Sequence, residues 1–182
     1  MAWLGPGDLA LQQAAWWSAV LLAARGRPLA AAASCLEGVL VHLVLRPAER
    51  PRLARVTLVA AAYGFATDTA ISSAGLASFA GAGRVSPIWM VGLWAIFGVA
   101  LTASLRRVAS WPLPLLTLLG AVAGPLAYRG GSALGAISLP GLSALCAVAV
   151  QWAVALPLLA LVARSRPTPA PRLVPVTLER PR

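Results

Sequence analysis

Apolar residues occur in long unbroken blocks, and polar residues collect in short breaks between them. The first block runs from Leu9 to Ala24 and is closed by Arg25, Arg27 and Pro28. Further blocks run from Pro28 to Leu45, Leu53 to Leu76, Pro87 to Leu105, Trp111 to Tyr128 and Leu139 to Ala163. At a rise of about 1.5 Å per residue, each can cross a hydrocarbon layer roughly 30 Å thick, the shorter ones with help from flanking residues. The pattern predicts an all-α membrane protein: a bundle of six transmembrane helices over residues 9–24, 28–45, 53–76, 87–105, 111–128 and 139–163. Pro112 and Pro114 fall in the first turn of the fifth helix, where a missing amide donor costs little. Pro125 and Pro157 lie deeper and are expected to kink their helices. Met1 to Asp8 carries no positive charge of the kind that opens a secretory signal, so the first block reads as a retained helix.

Composition sharpens this picture. The 182 residues are 59% hydrophobic and 11% charged, with a mean hydropathy of +0.80. A soluble domain carries about 25% charged residues, so a water-soluble catalytic domain is excluded. The 15 basic residues are all arginine, against five acids, for a net charge of +10. Because the arginines sit between apolar blocks, they read as topology signals, and no nucleic-acid partner is expected. With six spans, one side holds Arg46, Arg50, Arg52, Arg55, Arg106, Arg107, Arg164, Arg166, Arg172, Arg180 and Arg182. The other side holds Arg25, Arg27, Arg84 and Arg129. This bias places both termini in the cytoplasm. Residues 1–163 form the bundle, and 164–182 read as a disordered, basic, proline-rich cytoplasmic tail, either solvated or against anionic headgroups. Cys35 and Cys146 lie inside apolar blocks and read as inert packing residues. Trp3, Trp89 and Trp111 fall at block ends and read as interface anchors.

Ionisable groups inside the blocks are costly and therefore informative. They are Glu37, His42 and Asp68. Glu37 and Asp68 lie at similar depth on consecutive helices expected to pack antiparallel, which would bring them to one polar site. Asp68 continues the row Ala60, Gly64, Asp68, Ser72, a stripe of small residues that should face the bundle. Glu37 shares its face with Ala33, Ser34 and Val41, and the same inference is drawn. His42 is about 140° around the helix from Glu37, and reads as an interfacial or hydrogen-bonded histidine. The fifth helix carries Thr117, Gly120, Gly124 and Tyr128, a packing seam that ends beside Arg129. Gln151 lies on a sixth-helix face with Ala144, Val148 and Ala155; Gln12 and Gln13 lie near the inner surface. The candidate intramembrane polar site is thus Glu37, Asp68, Tyr128, Arg129 and Gln151, with Gly64, Gly120 and Gly124 as packing positions. Trp16, Trp17, Trp94 and Trp152 lie mid-block, either as lipid-facing or core packing or as the lining of an apolar cavity capped by Glu37, Asp68, Tyr128 and Arg129.

The chain has no CxxC, HExxH or histidine-rich cluster for a metal, no phosphate-cradling glycine loop and no GxSxG elbow. No metal or cofactor is expected, and no catalytic residue is defined. Glu37 and Asp68 are nonetheless of the type to serve as a general acid and base.

The order of motifs resembles a known family. Gln12-Gln13 with Trp16-Trp17, Ala24-Arg25-Gly26-Arg27-Pro28, Asp68, Pro87-Ile88-Trp89-Met90 with Leu93-Trp94, and Gly124-Pro125-Leu126-Ala127-Tyr128 before Gly131 and Gly135 resemble bacterial domain of unknown function 2878. The resemblance covers roughly residues 9–163 and implies a small multi-span inner-membrane protein without an established activity. It also implies the company of proteins resembling cyclopropane-fatty-acid-synthase-like methyltransferases and flavin-dependent amine oxidases, and so a role around membrane-lipid modification.

Three functions stay open at this level. One is a non-catalytic accessory or lipid-binding component, with membrane lipids and cytoplasmic lipid-modifying enzymes as partners. Another is a small permease or substrate-binding transporter subunit, prompted by six helices and the small-residue face Ala15, Ala19, Ala23. The third is a membrane-embedded lipid-modifying enzyme using Glu37, Asp68 and Tyr128. The oligomeric state is not readable from the sequence.

Overall fold

The computed structural model describes residues 4–165. Trp3 and the tail from residue 166 onward lie outside the described residues. The fold is all-α, with six helices: α1 (Leu4–Ala24), α2 (Pro28–Leu45), α3 (Arg50–Ser73), α4 (Ile88–Thr102), α5 (Leu113–Ala133) and α6 (Leu142–Arg164). Two of them, α2 and α6, are long and apolar enough to cross a membrane; α4 is apolar but shorter. Short 3-10 turns, Pro47–Glu49 and Val108–Ser110, precede α3 and α5. A two-residue antiparallel pair, β1 (Ser78–Phe79) with β2 (Ile137–Ser138), links the α3–α4 and α5–α6 connections in the register Ser78↔Ser138 and Phe79↔Ile137.

Helix ends differ from the apolar blocks for local reasons. The block ending at Leu76 loses its last turn because Gly75 adopts φ +72° and Leu76 N–H bonds the Ile71 carbonyl, a glycine-closed stop. Gly135 (φ +83°) closes α5 in the same way, with Ala136 N–H bonded to Gly131 O, five residues beyond the expected end at Tyr128. The residues from 137 are then taken by β2, so α6 starts at Leu142 rather than Leu139. Pro125 and Pro157 lie inside α5 and α6.

The central helix is α4, which packs against α1, α2, α3 and α6, while α5 leans on α6. This corrects the expectation that α2 and α3 pair as neighbours: they touch only sparsely, because α4 lies between them. Glycines on α4 make the close approach possible. A Cβ at Gly92 would lie 2.8 Å from Cys35 Cβ on α2, and one at Gly98 would lie 2.9 Å from the Val56 carbonyl oxygen on α3. Trp89, expected as an interface anchor, is fully buried and donates its indole N–H to Ala80 O at 3.0 Å. Trp111 is exposed. Cys35 is buried and Cys146 exposed, both as free thiols.

The two ends of the bundle are finished by different chemistry. At the strand end, α1, α3 and α5 stop at Gly26, Gly75 and Gly135. At the opposite end, arginine side chains take the last carbonyls. Arg50 Nε donates to Leu43 O of α2 at 2.8 Å, Arg52 Nε to Ala163 O at 2.6 Å, and Arg55 to Val162 O at 3.1 Å and to Ser165 O. Arg164 Nε reaches Ala109 O at 2.6 Å. A guanidinium offers five donors in a fixed fork, and positive charge near a helix C-terminus is favourable. Lysine has neither the reach in two directions nor the fork. Replacing Arg52 and Arg55 together by lysine keeps the charge, yet is expected to lower unfolding stability by about 1–3 kcal/mol. Arg106→Lys, at an exposed position, is expected to leave it unchanged; thermal unfolding in detergent measures both.

Candidate functional site

A carboxylate removed from water needs donors, and Asp68 is 0% exposed. The small-residue row of α3 turns it inward: Ala60, Gly64, Asp68 and Ser72 are all buried. Three helices supply the donors. Trp94 Nε1–H of α4 donates to Oδ2 at 2.8 Å. The Tyr128 hydroxyl of α5 and the Gln151 amide of α6 donate to Oδ1 at 2.6 and 2.7 Å. Gln151 also donates to Thr67 Oγ1 at 2.8 Å, and the Tyr63 hydroxyl donates to the Gln151 backbone carbonyl at 2.8 Å.

Beside this network, Trp94 and Trp152 stack with centroids 4.5 Å apart and planes at 19°. Each ring lies on a glycine. A Cβ at Gly64 would fall 2.0 Å from Trp94 Cγ, and one at Gly124 would fall 2.2 Å from Trp152 Cγ. Gly120 has another task, since its Cβ would fall 2.1 Å from the Trp152 carbonyl oxygen, where the α5 and α6 backbones meet. Two of the three packing glycines therefore seat tryptophan rings rather than a bare helix backbone.

The stacked pair forms part of the wall of a cavity of about 360 Å³. Trp16, Trp17, Phe97 and Tyr128 continue the wall, Ile137 of β2 borders it, and Gln12 and Gln13 are its polar members on α1. Helices α1 and α5 do not pack along their length. Across the gap, the Trp16 ring lies 3.6 Å from where a Cβ at Gly130 would stand. Ala123 and Ala127 of α5, both exposed, form the far lip. Apolar walls with a few convergent polar groups suit an amphiphilic guest. No group of three or more His, Cys, Asp or Glu side chains suited to a metal occurs among the described residues.

Of the five candidate polar residues, Asp68, Tyr128 and Gln151 meet. Glu37 and Arg129 do not. Glu37 is exposed on α2 among Ala33, Leu36 and Leu40, on the face opposite Cys35 and Val39 and separated from α3 by α4. Its face-mates Ala33, Ser34 and Val41 are likewise not buried, so the inward reading of that face is corrected. Arg129 follows Tyr128 on the helix, is turned away by the 100° step per residue, and is exposed. All four mid-block tryptophans line the cavity; of its expected caps, Asp68 and Tyr128 are found together behind it, joined by Gln151, while Glu37 and Arg129 lie elsewhere. His42 is buried, with Nδ1 2.8 Å from Gly38 O and Nε2 3.4 Å from Asp8 Oδ1. Asp8, which also pairs with Arg46, escaped the sequence reading because it precedes the first apolar block. Trp94 as a donor to Asp68 also escaped it, although a tryptophan amid apolar residues always carries one N–H to place.

Gly64→Ala is expected to unseat Trp94 and cost about 1–3 kcal/mol through overpacking. The near-ultraviolet circular dichroism of the tryptophan pair should weaken with it, while Gly83→Ala, with open space around it, leaves both signals intact. Asp68→Asn places an amide opposite donors and is expected to cost about 1–3 kcal/mol, read as a lower unfolding midpoint in detergent.

No curated protein and no solved structure matches the chain. Residues 7–158 match a family described as protein of unknown function, DUF2878. Since that match takes in most of the sequence, including every residue of the Asp68 network and the tryptophan-lined cavity, the chain belongs to the DUF2878 family.

Proposed function

We propose that this protein is a non-catalytic lipid-binding component of the bacterial inner membrane that holds an acyl chain in the groove between α1 and α5, as an accessory to membrane-lipid modification. The observation that carries this reading is the cavity of about 360 Å³, which has tryptophan walls and lies where α1 and α5 pack only sparsely. Six spans with both termini cytoplasmic complete the reading, and residues 1–163 act as one bundle. Large apolar side chains on outward faces support it: Leu29, Leu36, Leu40 and Val44 on α2, Leu58 on α3, Leu118, Val122 and Leu126 on α5, and Val150, Val154 and Leu161 on α6 are all exposed. Faces of this extent are aggregation-prone in water and at ease in lipid. Cytoplasmic lipid-modifying enzymes would be recruited at the arginine end.

Asp68 is a poor catalyst in this setting, because both oxygens are already engaged and no described water-exposed surface reaches them. Its separation from Glu37 removes the acid–base pair on which an enzyme reading rested. The transporter reading loses its docking face as well, since Ala15, Ala19 and Ala23 are buried within the bundle.

Purified protein in detergent is expected to show saturable quenching of tryptophan fluorescence by fatty acid brominated on its chain, relative to the unbrominated acid. Filling the lip with Ala123→Phe and Ala127→Phe should weaken the apparent affinity about tenfold without changing the unfolding midpoint. Non-saturating quenching, or quenching indifferent to the filled lip, would count against an acyl chain in the groove. A fluorescent protein fused after Arg182 is expected to fluoresce and a cysteine at position 84 to react with an impermeant maleimide in intact spheroplasts; the reverse pattern would invert the orientation.

A further inference from the structure

The arginine end holds a second and larger cavity, of about 890 Å³, between the start of α1, the start of α3, the α4–α5 connection and the end of α6. Its charged lining is Arg46, Arg52, Arg106, Arg107 and Arg164 against Asp8 and Glu49, a clear positive excess. Not all of these arginines are free. Arg46 pairs with Asp8 and Glu49, while Arg52 and Arg164 hold helix-end carbonyls. Arg106 and Arg107 are exposed, and their side chains make no hydrogen bond among the described residues. The Arg46 Nε–H is buried without a protein partner among them. Donor capacity is therefore left over on the wall of a concave basic site.

The two cavities adjoin. On α1, Asp8 and Leu9 line the arginine cavity, and Gln12, Gln13 and Trp16, one turn further on, line the tryptophan groove. Between them lies the hydrogen bond from Ser104 Oγ to Gln12 Oε1, at 2.9 Å, with Ser104 on the wall of the basic cavity and Gln12 on that of the apolar one. An apolar groove beside an arginine cavity, one hydrogen bond apart, suits an amphiphile with an anionic head such as a phosphate.

We infer that the protein takes an anionic glycerophospholipid from the leaflet at its arginine end, with an acyl chain in the tryptophan groove and the phosphate at Arg106, Arg107 and Arg46. This rests on the acyl-chain reading above and adds headgroup selectivity and direction to it. Guanidinium groups bind phosphate oxygens in pairs, so a phosphate with a net negative headgroup is favoured over one neutralised by choline.

The test is native mass spectrometry of the full chain in detergent, offered equimolar dioleoyl phosphatidylglycerol and dioleoyl phosphatidylcholine. Retention of phosphatidylglycerol is expected to exceed that of phosphatidylcholine about fivefold. In Arg106→Gln/Arg107→Gln the preference should fall to near parity, while quenching by brominated fatty acid stays as in the wild type. Both replacements are at exposed positions, and they leave the positive bias of that side intact. No preference in the wild type, or a preference that survives the double replacement, overturns the headgroup site and leaves the acyl-chain reading standing. Absence of saturable quenching in the wild type overturns both. Inorganic phosphate bound in an arginine-dependent way, without lipid preference, assigns the site to a free anion and overturns the lipid.

Discussion

One buried carboxylate fixes how four helices stand against each other. Asp68 has no water and so must be given donors, and it receives one each from α4, α5 and α6. A hydrogen bond between neutral partners is worth little net, but an unpaired buried charge is expensive, so each of the three donors is held in place by the penalty of its absence. Once Trp94 is fixed by Asp68, its ring must lie on α3, and only glycine at position 64 leaves room for it. Trp152 then stacks on Trp94 and needs its own glycine at 124. The wall of the cavity is in this way a consequence of the charge behind it.

Arginine closes the opposite end by a related economy of donors. Helices leave their last carbonyls without partners, and near an apolar face there is little water to satisfy them. Chain turns at the strand end solve this with glycines of positive φ, Gly26, Gly75 and Gly135. The arginine end solves it with side chains reaching from α3 to α6 and from α3 back to α2. Arg50, Arg52, Arg55 and Arg164, which a topology rule counts as mere orientation signals, are therefore also joints, a role that lysine would fill poorly. Among the charged residues lining the basic cavity, Arg106 and Arg107 are the two whose side chains hold no partner among the described residues.

Much of the network was legible from helical spacing. Ala60, Gly64, Asp68 and Ser72 form one small-residue row, and a charge on such a row has nowhere to face but inward. Tyr128 and Gln151 were legible as polar groups on faces otherwise small or apolar. Glu37 stays outside the network for a definable reason: α2 is apolar on all sides, so periodicity does not reveal which side is buried, and helices adjacent in sequence are here not adjacent in space. The small residues that decide the matter, Gly92 and Gly98, are on α4, where they admit α2 and α3 from two directions. The strand pair was invisible because two residues on each side carry no period, and Asp8 because its partners, His42 and Arg46, come from a different helix and its far end.

The gap between α1 and α5 is a property of the packing and not of a missing part. Helix α1 presents Ala15, Ala19 and Ala23 to its neighbours, which draws it tightly onto α2 and α4. Helix α5 is drawn the other way, onto α6, by Gly120 and Gly124. With small residues pulling each helix toward opposite sides, Trp16 and Trp17 are left on one lip, and the Trp94–Trp152 pair, seated on Gly64 and Gly124, stands behind. A hydrogen-bonded rear wall with a sparsely bridged front is the arrangement the proposed acyl chain would require to enter from the side without unpacking the bundle. The rear wall is held by Asp68, while at the front Trp16 reaches toward Gly130 and Ala19, Val20 and Ala23 share a core cluster with Tyr128 and Ile137. The same helix carries Asp8 and Gln12, whose bonds to Arg46 and Ser104 tie it to the arginine end, so one helix borders both cavities.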